Sequence, residues 1–270
     1  TSTRAVAARR TPKRTASGDA GPALLLAAGF APGLTVHAAA ADIDSHSATA
    51  AEFRVQLAHF RRHFGPDYHS FTTQFATFVM VNSETMVAAE NHPNFDRGSH
   101  AALAVGNESE AQWAWLESTL AEARAGPRPH ILPVMHHPPF LETPDEPAQY
   151  FNWPRVARAR LLALLRRFGV TQLLCGHTHT TTVVAAGEMT VYTVGGTART
   201  TDGKGCGYST LTLNASAVDV RYSRLNDPSV APCCNWDLTA PVGGTCPRCL
   251  PPLPDDGFAP CPNKAPATGG

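Results

Sequence analysis

The chain has 270 residues, of which 43% are hydrophobic and 16% charged, a balance that suits one large or two small globular domains. Its 22 basic and 22 acidic residues give a formal net charge of zero, which argues against a nucleic-acid partner or an anionic membrane surface. The longest apolar run near the start, residues 22–30, is much shorter than the roughly 20 residues that span a bilayer. We therefore predict a soluble protein, cytoplasmic rather than secreted.

The first 18 residues contain four arginines and one lysine but no acidic residue. This composition is typical of a transit segment, and a disordered start is the alternative. We therefore predict three regions: a disordered or targeting-like segment over residues 1–33, a folded domain over residues 34–226, and a Cys- and Pro-rich tail over residues 227–270.

Hydrophobic periodicity predicts three helices in this domain. The first covers residues 51–64, the second begins at a capping box made by Ser109 and Gln112, and the third begins at Pro154 and ends before Gly169. The third helix has one apolar stripe: Val156, Leu161, Leu164, Leu165 and Phe168. Its arginines are interpreted as a solvated face: Arg155, Arg158, Arg160, Arg166 and Arg167.

Strands are predicted between and after these helices. They cover residues 75–81, 131–135, 170–175, 181–185, 189–194, 208–213 and 217–222. Pro133 cannot donate a hydrogen bond to a ladder, so it places the second strand at an edge or a bulge. Alternating strands and helices followed by antiparallel strands predict an α/β layered sandwich, with a mixed sheet flanked by helices.

Two histidine motifs follow predicted strands. His136 begins a His-His-Pro sequence, and Gly176 precedes His177 and His179. Side chains alternate in an extended segment, so His177 and His179 are predicted to share one face. Neutral imidazole is the commonest side-chain ligand of zinc, iron and manganese, so His136, His177 and His179 are candidate metal ligands. The alternative is that they are loop residues with ordinary hydrogen bonds.

These two motifs resemble the C-terminal signatures of the calcineurin-like metallophosphoesterases. Further stretches are similar to the calcineurin-like phosphoesterase domain-containing 1 type of Ser/Thr phosphatase, at residues 64–71, 79–83, 112–116 and 150–152. The resemblance implies a four-layer α/β/β/α sandwich and a phosphomonoesterase that activates water with two divalent ions, Mn, Fe or Zn. It implies that His136 and His177 bind one ion and His179 the other, and that the substrate is a phosphoprotein or a small phosphoester.

The sequence departs from the family pattern in its first half. The Asp-x-His, Gly-Asp and Gly-Asn-His elements are not found intact, so the sandwich is expected to be incomplete and the site to hold one ion or none. The closest remnant is Asp44-Ser45-His46, whose His46 lies 19 residues before Gly65, where the family's Asn-His pair is expected. The resemblance therefore makes His46 the candidate proton donor to the leaving oxygen, and a solvated loop is the alternative. His137 is expected either to face away from the site or to form a hydrogen bond with a metal-binding residue. The pair Asn91-His92 is interpreted as surface loop.

Three functional hypotheses follow. The first is a metal-dependent phosphoesterase, and the second is a degenerate, inactive member that serves as a binding or scaffold module. The third gives the tail a zinc-binding or extracellular interaction role of its own, with disulfides or no structure as the alternatives. The tail holds five cysteines: Cys233, Cys234, Cys246, Cys249 and Cys261. Cys175 and Cys206 are expected to pack in the core.

Overall fold

The computed structural model describes residues 49–90, 105–196 and 207–224, together with the backbone of three strands nearer the amino terminus. The helices in these residues are α1 (Ala50–Phe64), α2 (Ser83–Ala88), α3 (Gly106–Ala125) and α4 (Arg155–Arg167). The strands are β1 (Thr3–Arg10), β2 (Ala23–Phe30), β3 (Gly33–Ala39), β4 (His69–Thr72), β5 (Ala76–Met80), β6 (His130–Val134), β7 (Gln172–Cys175), β8 (Thr182–Ala186), β9 (Met189–Thr193), β10 (Gly207–Leu213) and β11 (Val218–Arg224). Nowhere in the described part is a helix both long and apolar enough to cross a bilayer.

A six-stranded mixed sheet forms the centre of the fold. Its order is β4-β5-β6-β7-β9-β8, in which β5, β6, β7 and β9 run parallel and the edge strands β4 and β8 are antiparallel to their neighbours. Helices α3 and α4 connect β5 to β6 and β6 to β7. The carboxyl ends of β5, β6 and β7 therefore meet at one edge of the sheet, where open α/β sheets bind their ligands.

The sheet is covered on both faces. On one face Trp113 of α3 and Leu161 of α4 pack in the largest buried cluster. On the other face Phe78 and Leu132 pack with Leu211 of β10. The predicted mixed α/β class is confirmed, and the described residues supply three layers of the predicted sandwich: helices, the six-stranded sheet and a second sheet.

The second sheet has the order β11-β10-β1-β2-β3, and all its pairs are antiparallel. Strands β1 and β2 lie within residues 1–33, for which we predicted a disordered or targeting-like segment. Strand β2 is one continuous apolar run. Such a run is compatible with a buried strand but does not distinguish it from a buried helix by periodicity alone, so the sequence does not assign it.

Two details of the helices differ from the prediction. Helix α3 begins at Gly106, with Val105 at its N-cap and no side-chain capping bond, so Ser109 is a buried residue within the helix rather than its cap. In α4 Val156 is 74% exposed, whereas Arg158 is only 1% exposed. Arg158 is therefore not part of a solvated face, because its guanidinium donates to backbone carbonyls of the preceding loop.

Strand β6 lies between β5 and β7, so the edge position predicted from Pro133 is wrong. The pairing of β6 with β7 is at Val134, opposite Leu174. Met135 N donates to Leu174 O across the same pair of strands. Pro133 precedes this pairing, so its missing N–H removes no observed bond between β6 and β7.

Candidate metal centre

His136 and His177 lie side by side because the parallel pairing of their strands continues beyond the strand ends. Gly176 N donates to His136 O at 2.9 Å, directly after the bond from Met135 N to Leu174 O. Both side chains are buried, with exposed fractions of 1% and 7%. Nδ1 of His177 lies 3.0 Å from Nε2 of His136. The sequence motifs thus bring two imidazole nitrogens into contact at the carboxyl ends of β6 and β7.

A third imidazole, His137, completes a buried cluster with these two. Its ring centre lies 4.2 Å from that of His177 and 4.9 Å from that of His136. The chain bends at both His136 and His137 after β6 has ended, so their side chains do not alternate as in a strand. The expectation that His137 faces away from the site is therefore wrong.

The cluster fits the ligand set of a metal ion. Each of the three histidines offers one nitrogen, and these atoms all lie within 4.8 Å of one another. Two nitrogens bound to one ion at about 2.1 Å lie about 3.0 Å apart in octahedral geometry and about 3.4 Å apart in tetrahedral geometry. The His136–His177 nitrogen distance of 3.0 Å is that of a hydrogen bond and is also compatible with a shared octahedral ion. His177 Nε2 lies 3.1 Å from Tyr150 O, which favours a proton on Nε2 and a lone pair on Nδ1.

His179 does not follow the strand alternation predicted for it. His177 and His179 have backbone φ values of 69° and 56°, in the left-handed region that histidine adopts only occasionally. The segment is therefore not extended, and the predicted alternation does not apply to it. His179 is outside the three-histidine cluster. It does line a cavity of about 10 Å³ together with His136 and His177, which is about the room needed by one water molecule.

A buried carboxylate that the sequence did not indicate lies beside the cluster. Glu84 is fully buried, and its Oε1 atom lies 3.6 Å from Nδ1 of His137. Ser83 Oγ lies 3.2 Å from the same nitrogen and accepts a hydrogen bond from His137 N at 3.1 Å. Both residues follow β5, the parallel neighbour of β6. A polar sequence directly after a buried strand is the signal that could have identified them.

The loop between β6 and α4 holds one side of the centre. Trp153 Nε1 donates to His137 O at 3.0 Å, and the rings of Tyr150 and Phe151 lie 4.9 Å and 5.6 Å from the His177 ring. Burial acts to raise the pKa of Glu146 in this loop, but hydrogen bonds from Leu141 N and other donors of the same loop outweigh it and lower that pKa. The loop is thus held by hydrogen bonds to the Glu146 carboxylate.

Several residues singled out in the sequence lie outside the described residues. They are His46, the Asn91-His92 pair, Cys206 and the five cysteines of the tail. Cys175 is described and is buried, as predicted, and burial raises the pKa of its thiol well above the usual value.

The sequence is similar to known phosphatases over part of its length. Serine/threonine-protein phosphatase CPPED1 of Danio rerio is 32% identical over 120 residues, which are 44% of this chain and 35% of that protein. The protein of the same name from Homo sapiens is 30% identical over 121 residues, which are 44% of this chain and 34% of that protein. No family model matches the sequence.

Among solved structures, a dimetal phosphatase from Danio rerio is 16% identical, and the superposition covers 57% of each chain with a TM-score of 0.43. A similarity of that level carries no weight for the site. The sequence matches span about a third of the length of the CPPED1 proteins. Over that stretch the predicted resemblance to calcineurin-like phosphoesterase domain-containing 1 proteins is confirmed.

Proposed function

We propose that this chain is a metal-dependent phosphoesterase that hydrolyses phosphate monoesters in the manner of a Ser/Thr phosphatase. The observation that carries the proposal is the buried contact between His136 and His177 at adjacent parallel strand ends. The partial similarity to proteins named as phosphatases supports the reaction class. A phosphoprotein or a small phosphoester is the proposed substrate.

His136 would hold a divalent ion through Nε2 and His177 through Nδ1, the two atoms that face each other. When bound, such an ion supplies positive charge for the phosphate and lowers the pKa of water toward neutrality. Tyr150 O fixes the orientation of the His177 ring by facing its Nε2 atom. His179, beside the same small cavity, is proposed as a further ligand on the substrate side.

Hydrolysis breaks the bond between phosphorus and the ester oxygen, and the oxygen of a water that has released a proton to solvent forms the new bond to phosphorus. The ester oxygen needs a proton as it leaves, and His46 remains our proposed donor. Phe151 is 43% exposed beside His177, so its ring is proposed to exclude water from one side of the reacting phosphate.

The test is hydrolysis of p-nitrophenyl phosphate by the full chain with added Mn²⁺. His136→Ala and His177→Ala should each lower kcat/KM by at least about 100-fold, because each removes a ligand nitrogen. His63→Ala is the matched control, since His63 is an exposed residue of α1. Absence of turnover by the wild-type chain would refute the enzymatic proposal, and so would His177→Ala with wild-type activity.

The composition of the cluster favours one second candidate, an inactive member that binds a metal ion or phosphate without turnover. The three clustered ligands in the described residues are all imidazoles. A site with two ions needs carboxylates to offset their charge, and this cluster has none among its ligands. Binding of Mn²⁺ and phosphate by the wild-type chain without product formation would select this candidate.

A further inference from the structure

The contact between His136 and His177 does not explain why Glu84 is buried beside them. Its carboxylate is completely buried, and burying a negative charge is costly unless positive charge or strong hydrogen bonds compensate it. The residue lies at the second position of α2, directly after the β5 end that faces the histidine cluster. His137 is the neighbouring titratable side chain, with Glu84 Oε1 3.6 Å from His137 Nδ1.

The orientation of His137 decides which of its nitrogens faces the cluster. Its Nδ1 atom is turned toward Ser83 Oγ and Glu84 Oε1. Ser83 Oγ can serve this nitrogen either as donor or as acceptor, so the negative charge of Glu84 at 3.6 Å favours the tautomer with the proton on Nδ1, which leaves the lone pair on Nε2. The His137 ring lies 4.2 Å from the His177 ring, centre to centre. Nε2 is therefore the atom that His137 can offer to an ion shared with His177.

We propose that His137 is a third nitrogen ligand of the metal centre and that Glu84 is its positioning residue. Glu84 fixes the His137 ring and offsets part of the charge of the ion, while touching neither the ion nor the substrate. This inference rests on the proposed metal-dependent function. It adds two residues to which the family resemblance assigns no metal: His137, which follows β6, and Glu84, which follows β5.

The arrangement resembles the general pairing of carboxylate, histidine and metal, in which loss of the outer carboxylate weakens metal affinity by about 10- to 100-fold. A plain ion pair between Glu84 and a charged His137 is the competing interpretation. The two interpretations differ in what removal of Glu84 does to metal affinity, because a plain ion pair changes folding stability alone.

The experiment is a Co²⁺ titration of the full chain after removal of metals, with visible absorption and melting temperature as readouts. Glu84→Gln keeps the size of the side chain and should weaken Co²⁺ binding by about 10- to 100-fold. His137→Gln should weaken it further and change the shape of the visible band, because a nitrogen ligand is lost. Glu117→Gln is the control, since Glu117 forms an exposed ion pair on α3, away from the cluster.

Wild-type affinity and an unchanged spectrum in both Glu84→Gln and His137→Gln would overturn the inference and leave the proposed function standing. Lower melting temperatures of the metal-free variants with unchanged affinity would identify a purely structural pair, which also overturns it. If the wild-type chain binds no Co²⁺ and gains no thermal stability from it, the proposed function itself fails.

Discussion

Replacement of Arg158 by methionine tests whether hydrogen bonds from its buried guanidinium stabilise the loop beside the histidine cluster. The guanidinium donates to Trp153 O at 2.7 and 3.2 Å, to Glu146 O at 2.6 Å and to Pro144 O at 3.1 Å. Hydrogen bonds that involve a charged group contribute about 1.5–3 kcal/mol each, but these four share three carbonyls and are not additive. Methionine keeps the packing of the aliphatic stem. We therefore expect Arg158→Met to lower the free energy of unfolding by about 3–5 kcal/mol.

Urea denaturation followed by circular dichroism measures this loss. With a slope of about 2 kcal/mol per molar urea, the midpoint should fall by about 1.5–2.5 M. Arg167→Met is the matched control on the same helix, because Arg167 forms an exposed ion pair with Glu117 that is expected to contribute about 0–1 kcal/mol. Equal midpoints for Arg158→Met and Arg167→Met would refute the interpretation of Arg158 as a buried clamp.

Four further outcomes test other parts of the structure. Gln112→Ala should cost about 2–3 kcal/mol in urea denaturation, because the buried N–H and C=O of Asn82 lose their partners; a loss below about 0.5 kcal/mol would contradict this network. Because the pKa of Glu146 is lowered in the fold, its ionised carboxylate stabilises the protein above the ordinary carboxyl pKa, and this contribution disappears as pH falls through the lowered value. The free energy of unfolding of Glu146→Gln should therefore fall less in acid than that of the wild type. Native Cys175 should resist iodoacetamide, as measured by peptide mass spectrometry, and labelling before unfolding would show that it is accessible. Gly207→Ala should destabilise the β10–β11 hairpin by about 1–3 kcal/mol, because its Cβ would lie 2.2 Å from a backbone oxygen of β11; an unchanged melting temperature would contradict that packing.

The central sheet was predictable because its signals are local. The helix at residues 51–64 was predicted from its apolar period and is observed as α1, where Phe53, Leu57 and Phe60 are buried. The strands that became β5, β7, β9 and β10 were predicted from apolar or alternating runs, and in β10 the buried and half-buried residues alternate as expected. The contact of His136 with His177 followed from placing each motif after a strand, since parallel strands bring their carboxyl ends together.

The remaining features depend on contacts between distant residues, which periodicity does not encode. Arg158 occupies a helical position that looks solvated, and only the carbonyls of the preceding loop explain its burial. Glu84 joins His137 across 53 positions of sequence through the pairing of β5 with β6. The left-handed backbone of His177 and His179 arises where the chain leaves β7. Such backbone conformations cost free energy and persist where surrounding contacts impose them, as often happens at functional sites.

Charge decides between the enzyme and the inactive binding module. Three neutral imidazoles leave the double positive charge of a bound ion intact, and Glu84, which contacts His137, offsets only part of it from outside. An ion with so much residual charge attracts phosphate strongly, both as substrate and as product. Catalysis requires the transition state to be bound more tightly than either of these, so strong attraction alone gives retention without turnover. A group that protonates the leaving oxygen would provide that difference, and His46 is the residue proposed for this role.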